Sequence, residues 1–384
     1  MHLQLKNIGQ ITDADIRFGD LTVFVGPQAT GKSITLEFLK LVLDLGHVQE
    51  WIARYGIDWS GELSKFFDVY FGEGMRGLWR QGESEVWWGG RRINMTSLIG
   101  RMRRSKTESA FYVPAQRVLA LRNGWPRPFS DYSTGDPFVV AEFSENLRVL
   151  LEREFGAKET LFPQPRRLKK EFRDMLDRNI FRKFGLRIDR SRPQKRLVLG
   201  PRDLTLPFMV WSAGQREFVP LLLGFYWLMP PAKIARRGEI KWVILEELEM
   251  GLHPAAIDVL LLMTFELVAR GYRVCLSTHS PQVLEALWAL RHLRENGASP
   301  EALLGVFEAP NTAPMRKLAE AVMAKNVKVY YFDPTTGQTR DISELDPERE
   351  EAGEEGWGGL IEFSGRANEA VARAVANAEM QARA

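Results

Sequence analysis

The chain has 384 residues, 45% hydrophobic and 26% charged, a composition that belongs to folded globular proteins and excludes wholesale disorder. One cysteine, Cys275, excludes a disulfide framework and a cysteine-built zinc site. The formal net charge of +3 is too small to point to a nucleic-acid partner by itself, and the length allows two domains or one large domain with an insertion.

The first residues carry no cationic stretch leading into an apolar one, so no signal peptide is predicted. Residues 3–25 read as strands, ending in the apolar, β-branched run Leu21-Thr22-Val23-Phe24-Val25 expected of a strand buried on both faces. Apolar residues at Ile34, Leu36, Phe38, Leu39, Leu41, Val42 and Leu45 predict a buried helix over 33–45. Residues 46–108, rich in Trp, Gly and Arg, carry no clear period. Residues 110–113 read as a strand ended by Pro114, 138–184 as mostly helical, and 185–210 as short β segments. From 212 to 293 the order is helix, strand, helix, strand, helix, with strands at 241–245 and 272–277, which predicts a largely parallel sheet. A further strand is expected at 327–332, then an acidic stretch at 341–356 and an Ala-rich helix in 360–384. The longest apolar run, 218–232, is shorter than the roughly 20 residues that span a bilayer, so a cytoplasmic protein without membrane contact is predicted.

Gly26-Pro27-Gln28-Ala29-Thr30-Gly31-Lys32-Ser33 fits the P-loop pattern G-x-x-x-x-G-K-[ST] between a strand and a helix. Backbone N–H groups of the loop, including Gln28, Ala29 and Thr30, and of the helix start point at a bound phosphate chain. Gly26 and Gly31 shape the loop, Lys32 reaches the outer phosphates, and the Ser33 hydroxyl can ligate Mg²⁺. The apolar run Trp242-Val243-Ile244-Leu245 ends in Glu246-Glu247. Glu246 is assigned to the metal, through water, and Glu247 to the general base. Ser212 sits at the N-cap position of a helix that continues Ala213-Gly214-Gln215, a second anion-binding surface. His279 follows the strand at 272–277, where a histidine can reach a terminal phosphate.

These four elements, in this order, resemble the ABC-type ATPase set of Walker A, signature, Walker B and switch histidine. The resemblance is most specific to the non-transporter branch that includes SMC proteins, RecF and the overcoming-lysogenisation-defect type. It rests on Leu5-Lys6-Asn7-Ile8-Gly9, on the strand entering the P-loop, and on Glu246-Glu247-Leu248-Glu249 with Gly251-Leu252-His253-Pro254. Tyr112-Val113-Pro114-Ala115-Gln116-Arg117 is similar to the segment near the γ-phosphate in that branch, with Gln116 as the Q-loop residue and Arg117 as its competitor. The resemblance implies a P-loop NTPase of α/β class: an ABC head with a mainly parallel sheet, N-terminal antiparallel strands and an inserted α-rich subdomain. It also implies ATP and Mg²⁺ as cofactors and a homodimer with two ATP molecules sandwiched between protomers. Ser212, Gly214 and Gln215 of one chain would face the phosphates held by Lys32 of the other. Glu246 in place of the usual aspartate, Trp211 and Ala213 in the signature, and Gln28 in the P-loop depart from the pattern.

The core is expected at 1–45 and 110–340, an inserted basic, helical arm at 46–109 and about 138–200, and an acidic linker with a C-terminal helix at 341–384. Arg76, Arg80, Arg91, Arg92, Arg101, Arg103, Arg104 and Lys106, then Arg166, Arg167, Lys169, Lys170, Arg173, Arg178, Arg182 and Lys183, and finally Lys195 and Arg196, make the insertion basic. They read either as a DNA or RNA contact or as solvated helix faces. Its tryptophans, Trp51, Trp59, Trp79, Trp87, Trp88 and Trp125, read as core anchors or as stacking platforms for bases. The lone Asp333 after the last strand, without a second aspartate, predicts no nuclease. The leading expectation is an ATP-driven switch in DNA repair or defence against foreign DNA, working with an effector protein. The alternatives are a regulatory scaffold that hydrolyses little ATP and a transporter's nucleotide-binding subunit.

Overall fold

The computed structural model describes residues 1–103, 105, 107–156, 160–191, 193–201, 204–231, 236–344 and 371. The first half of the chain runs β1 (His2–Ile8), β2 (Ile11–Arg17), β3 (Leu21–Val25), α1 (Lys32–Arg54), α2 (Leu63–Tyr70), β4 (Glu85–Trp88), β5 (Arg91–Ile93), α3 (Met95–Gly100), β6 (Ala110–Val113), β7 (Leu121–Arg122), β8 (Trp125–Pro126), α4 (Phe138–Arg153), β9 (Thr160–Phe162), α5 (Lys170–Leu176) and β10 (Gly185–Asp189). The second half runs β11 (Arg196–Gly200), β12 (Leu206–Pro207), α6 (Ala213–Leu228), β13 (Trp242–Glu246), α7 (Pro254–Ala269), β14 (Arg273–Ser277), α8 (Pro281–Glu295), α9 (Pro300–Val306), α10 (Ala313–Met323), β15 (Val327–Phe332) and β16 (Thr339–Asp341).

The central sheet has the order β16-β15-β3-β14-β13-β6, and all but β16 run parallel. Its inner strands β3, β14, β13 and β6 are mainly apolar because both faces are covered, one by helices and the other by helices together with the N-terminal antiparallel strands. Alternation then sorts their side chains into two cores. Val23, Phe111, Val243, Leu245, Val274, Leu276 and Val329 enter one; Phe24, Tyr112, Trp242, Ile244, Cys275 and Tyr330 enter the other. A slip of one residue would exchange the two sets, so the register is specified from both sides. Cys275 is consequently a core residue, and burial pushes its thiol well above the usual range.

The first three strands and the strands at 110–113, 241–245, 272–277 and 327–332 lie where they are expected, to within a residue at the ends. The segment 46–109 is different. The helix that starts at the P-loop does not end at 45: Val48 and Ile52 continue the buried stripe of Leu41 and Leu45, and α1 runs to Arg54. The hairpin β4–β5 joins β1, with Leu3 opposite Trp88 and Leu5 opposite Val86, and so extends the N-terminal antiparallel sheet. The segment 160–207 holds a second antiparallel sheet, β12-β11-β10-β9, beside short helices, so the insertion contains strands as well as helix.

Many of the basic residues expected to form a patch are engaged within the protein. Arg167 is buried, donates to the Tyr226 and Met229 carbonyls and pairs with Glu154. Lys169 meets Glu266 at 2.5 Å, Arg196 meets Asp189 at 2.9 Å, and Arg92 meets Glu85 at 2.9 Å. Arg76 pairs with Asp68. The tryptophans behave as anchors: Trp59 is buried and donates to the Ile99 carbonyl, Trp51 packs edge-on to Phe129, and Trp88 packs near Phe18 and Trp242. Arg104, Lys106 and the expected Ala-rich helix in 360–384, apart from residue 371, lie outside the described residues, as does the acidic stretch from 345 on.

Candidate nucleotide site

Four strand ends meet at the carboxyl edge of the central sheet, where open α/β sheets bind ligands. β3 delivers the phosphate loop, β13 ends in Glu246, β14 leads to His279, and β6 leads to Arg117. Gln28, Ala29, Thr30, Gly31, Lys32 and Ser33 line one side of a cavity of about 170 Å³, and Glu247 and His279 line the other. Gln10, from the β1–β2 turn, and Ile34 complete its rim.

The loop is held by its neighbours as well as by its sequence. Gly26 has φ 135° and Gly31 φ 97°. A Cβ on Gly26 would lie 2.6 Å from the Phe332 carbonyl oxygen, and one on Gly31 would lie 2.5 Å from Ile11. Both glycines are thus required by packing and by backbone angle before any ligand is considered. Lys32 is 5% exposed, and its ammonium donates to the Gly26 carbonyl at 2.8 Å and the Pro27 carbonyl at 2.6 Å. Burial pushes its pKa down to about 8, against the pull of Glu247 and Glu249.

Glu246 is 2% exposed. Its Oε2 accepts from the Ala115 N–H at 3.0 Å, while Oε1 is buried without a hydrogen-bond partner. Burial raises its pKa, against the lowering effect of Ser33, Ala115 and Tyr112. A carboxylate held this way, with one oxygen free and the Ser33 hydroxyl beside it, fits a divalent cation, which would satisfy the free oxygen and favour the ionised form. Glu37, one turn along α1, also has a buried free oxygen, and its pKa is raised first by burial and then by Glu246. Periodicity alone placed Glu37 on a helix and carried no sign of this role.

Glu247 adopts φ 42°, a left-handed conformation rare for a side chain of its size. This turns its carboxylate toward His279, whose Nε2 lies 3.4 Å from Glu247 Oε1. The histidine holds the Glu247 pKa below the usual carboxylate range. Glu249 supports the histidine from behind: its Oε1 accepts from the His279 N–H at 2.6 Å and from the Thr278 hydroxyl at 2.8 Å. In the sequence Glu249 is only a third acidic residue in a short acidic run.

Gln116 is exposed, and Arg117 is fully buried against the end of β13. The residue that touches the acidic strand end is therefore Arg117. Ser212, Gly214 and Gln215 sit at the start of α6 and do not line the cavity. Ser212 Oγ accepts from the Gln215 N–H at 3.2 Å, and Gln215 Oε1 accepts from the Ser212 N–H at 3.1 Å, a reciprocal cap. Gly214 packs on the segment after Glu247, since a Cβ there would lie 3.0 Å from the Gly251 carbonyl oxygen. Asp333 stands in the turn after β15, bound by the N–H groups of Thr335 and Thr336 and by Arg340 at 2.5 Å. No helix among the described residues is long and apolar enough to cross a membrane.

Residues 126–285, less than half of the chain, match the family described as "AAA domain, putative AbiEii toxin, Type IV TA system". No curated protein matches the chain. Among solved structures the chain is similar to an SMC head bound to the C-winged helix domain of ScpA, at 12% identity and TM-score 0.43, covering 89% of this chain and 96% of that one. It is similar to the SMC head domain from Thermotoga maritima at 11% identity and TM-score 0.32, covering 89% and 97%. It is also similar to the dimeric ATP-binding cassette MJ0796 bound to ADP and Pi, at 10% identity and TM-score 0.36, covering 89% and 98%. The phosphate loop, the acidic strand end and the histidine are ordered around one mainly parallel sheet, the arrangement of a P-loop α/β fold.

Proposed function

We propose that the protein binds ATP with Mg²⁺, hydrolyses it to ADP and phosphate, and uses the cycle to close and open a homodimer. The observation that carries this reading is that the P-loop, Glu247 and His279 line one cavity. In this reading Lys32 leaves its loop carbonyls to meet the β- and γ-phosphates. Ser33 and Glu246 would hold Mg²⁺, which supplies charge neutralisation on the phosphate chain. Glu247 takes the proton of the attacking water, and His279 orients that water and the terminal phosphate. The α6 N-terminus lies outside its own cavity, so Ser212 and Gly214 would meet the γ-phosphate held by a second chain.

The switch would act on a partner protein or on nucleic acid. Arg166, Lys170, Arg178, Arg182 and Lys183 remain exposed on the inserted segment and could contact a phosphate backbone. Light scattering on Glu247→Gln in saturating ATP tests the sandwich: the variant should dimerise, and Glu247→Gln combined with Lys32→Ala should not. A strictly monomeric Glu247→Gln protein sinks the sandwich. Duplex DNA added to a turnover assay should raise the rate in a salt-dependent way if the basic segment contacts it.

A further inference from the structure

A single buried cation joins the two parts of the site that lie apart. Arg117 is 0% exposed, and its guanidinium donates to three main-chain carbonyls. Nη1 reaches the Glu246 oxygen at 3.1 Å, Nη2 the Glu247 oxygen at 3.2 Å, and Nε the Glu217 oxygen at 3.2 Å. The Glu217 carboxylate also stands 3.4 Å from Nε. The first two carbonyls belong to the end of β13 and the residue after it; the third lies one turn into α6.

Glu247 needs such support. A non-glycine residue at φ 42° persists only where surrounding contacts hold it. Three do: its N–H donates to the Ser277 carbonyl at 3.0 Å, and its carbonyl accepts from the Met250 N–H at 3.1 Å and from Arg117 at 3.2 Å. A planar guanidinium fixes its acceptors at set directions, which a lysine ammonium does not. Gly214 also approaches closely the Gly251 carbonyl, in the turn that follows Glu247, so α6 meets this segment a second time.

We propose that Arg117 is a positioning residue: it holds Glu247 in its left-handed conformation and fixes it to α6, so that the carboxylate and the helix N-terminus move as one body when nucleotide fills the cavity. This rests on the reading of Glu247 as the general base.

The test uses the full chain with Arg117→Lys and Arg117→Met. ATP affinity should stay within about twofold while kcat falls about tenfold to a hundredfold, the size of effect a misplaced catalytic group produces. Hydrogen exchange with and without ATP, at a concentration where the protein is monomeric, reads the coupling separately. Residues 213–217 should gain protection with ATP in the natural protein and lose that gain in the variants, while the P-loop gains protection in both. Unchanged kcat, retained protection at 213–217, or no ATP-dependent change there in the natural protein overturns the proposal. A loss of affinity and thermal stability in step with kcat also overturns it, because a packing role alone would do that. If the Arg117 variants do not fold, Glu217→Gln, which removes only the carboxylate beside Nε, should shift kcat and protection the same way by a smaller factor; no shift overturns the proposal. If Glu247→Gln keeps full turnover, the general-base reading fails on its own, and the exchange measurement still decides whether Arg117 couples the two elements.

Discussion

At the scale of single residues, Lys32 of the P-loop is held by its own loop, and its charge can be tested against the proposed nucleotide. The ammonium is folded onto the Gly26 and Pro27 carbonyls, and burial leaves its pKa at about 8 instead of 10.5. A triphosphate requires the charged form. Below pH 8 the proton is already present; above it, binding must take one up. ATP affinity should therefore be level below pH about 8 and then weaken by up to tenfold per pH unit. Lys32→Arg should show no such slope, since arginine stays charged. A level affinity to pH 10 in the natural protein would contradict the assignment. The same shift has a stability sign. Between about 8 and 10.5 the unfolded chain holds more protons at this site than the folded one, so the contribution of Lys32 to stability rises with pH across that window.

At the scale of elements, Ser212 has two employments that one substitution cannot separate. Its hydroxyl caps α6 through Gln215, and in the proposed sandwich the same hydroxyl would be offered to a second chain's γ-phosphate. Ser212→Ala should lower the stability of the nucleotide-free protein by about 1 kcal/mol, as loss of an N-cap does. Ser212→Asn keeps an acceptor for the cap and should hold stability to within about 0.5 kcal/mol, yet lose the ATP-dependent dimer. Denaturant midpoints and light scattering on the pair measure the two roles, and a dimer retained in Ser212→Asn would remove the hydroxyl from the interface. What could be read from the sequence follows the same division. The P-loop, the β13 carboxylates, His279 and the Ser212 cap are local patterns of a few residues, and each lies where its pattern puts it. The β4–β5 hairpin, Arg117 and Glu249 were not legible in their roles. Their partners, Leu3 for Trp88, Glu217 for Arg117 and Thr278 for Glu249, stand from 29 to 100 residues away, and no period or short motif encodes a contact at that distance.

At the scale of the whole molecule, a buried charge cluster decides whether the inserted segments are a separate arm. Lys40, in the middle of α1, is 0% exposed. Its ammonium meets Asp44 at 3.0 Å, Glu142 at 3.1 Å and Glu108 at 3.4 Å, and donates to the Ala110 carbonyl at 2.5 Å. His47 adds a contact to Glu142 at 2.8 Å. Asp44 in turn accepts from the Ser109 and Ala110 N–H groups, at a point where α1 leaves helical geometry. The acids thus come from the P-loop helix, from the link before β6, and from α4, which opens the second inserted stretch. Both inserted stretches also share the two apolar cores with the central sheet: Phe66 and Val86 lie with Phe24, and Phe172 and Leu186 with Val243. An arm built this way cannot unfold alone without exposing the sheet. Calorimetry should show one transition, and Lys40→Met should lower stability by about 3–5 kcal/mol, because the buried Asp44 and Glu142 carboxylates and the part-buried Glu108 would be left without their cation. Adding Asp44→Asn and Glu142→Gln to Lys40→Met should recover part of that loss by removing the stranded charges. Two resolved transitions in the natural protein, or a Lys40→Met variant as stable as the parent, would instead make the inserted segments an independent unit.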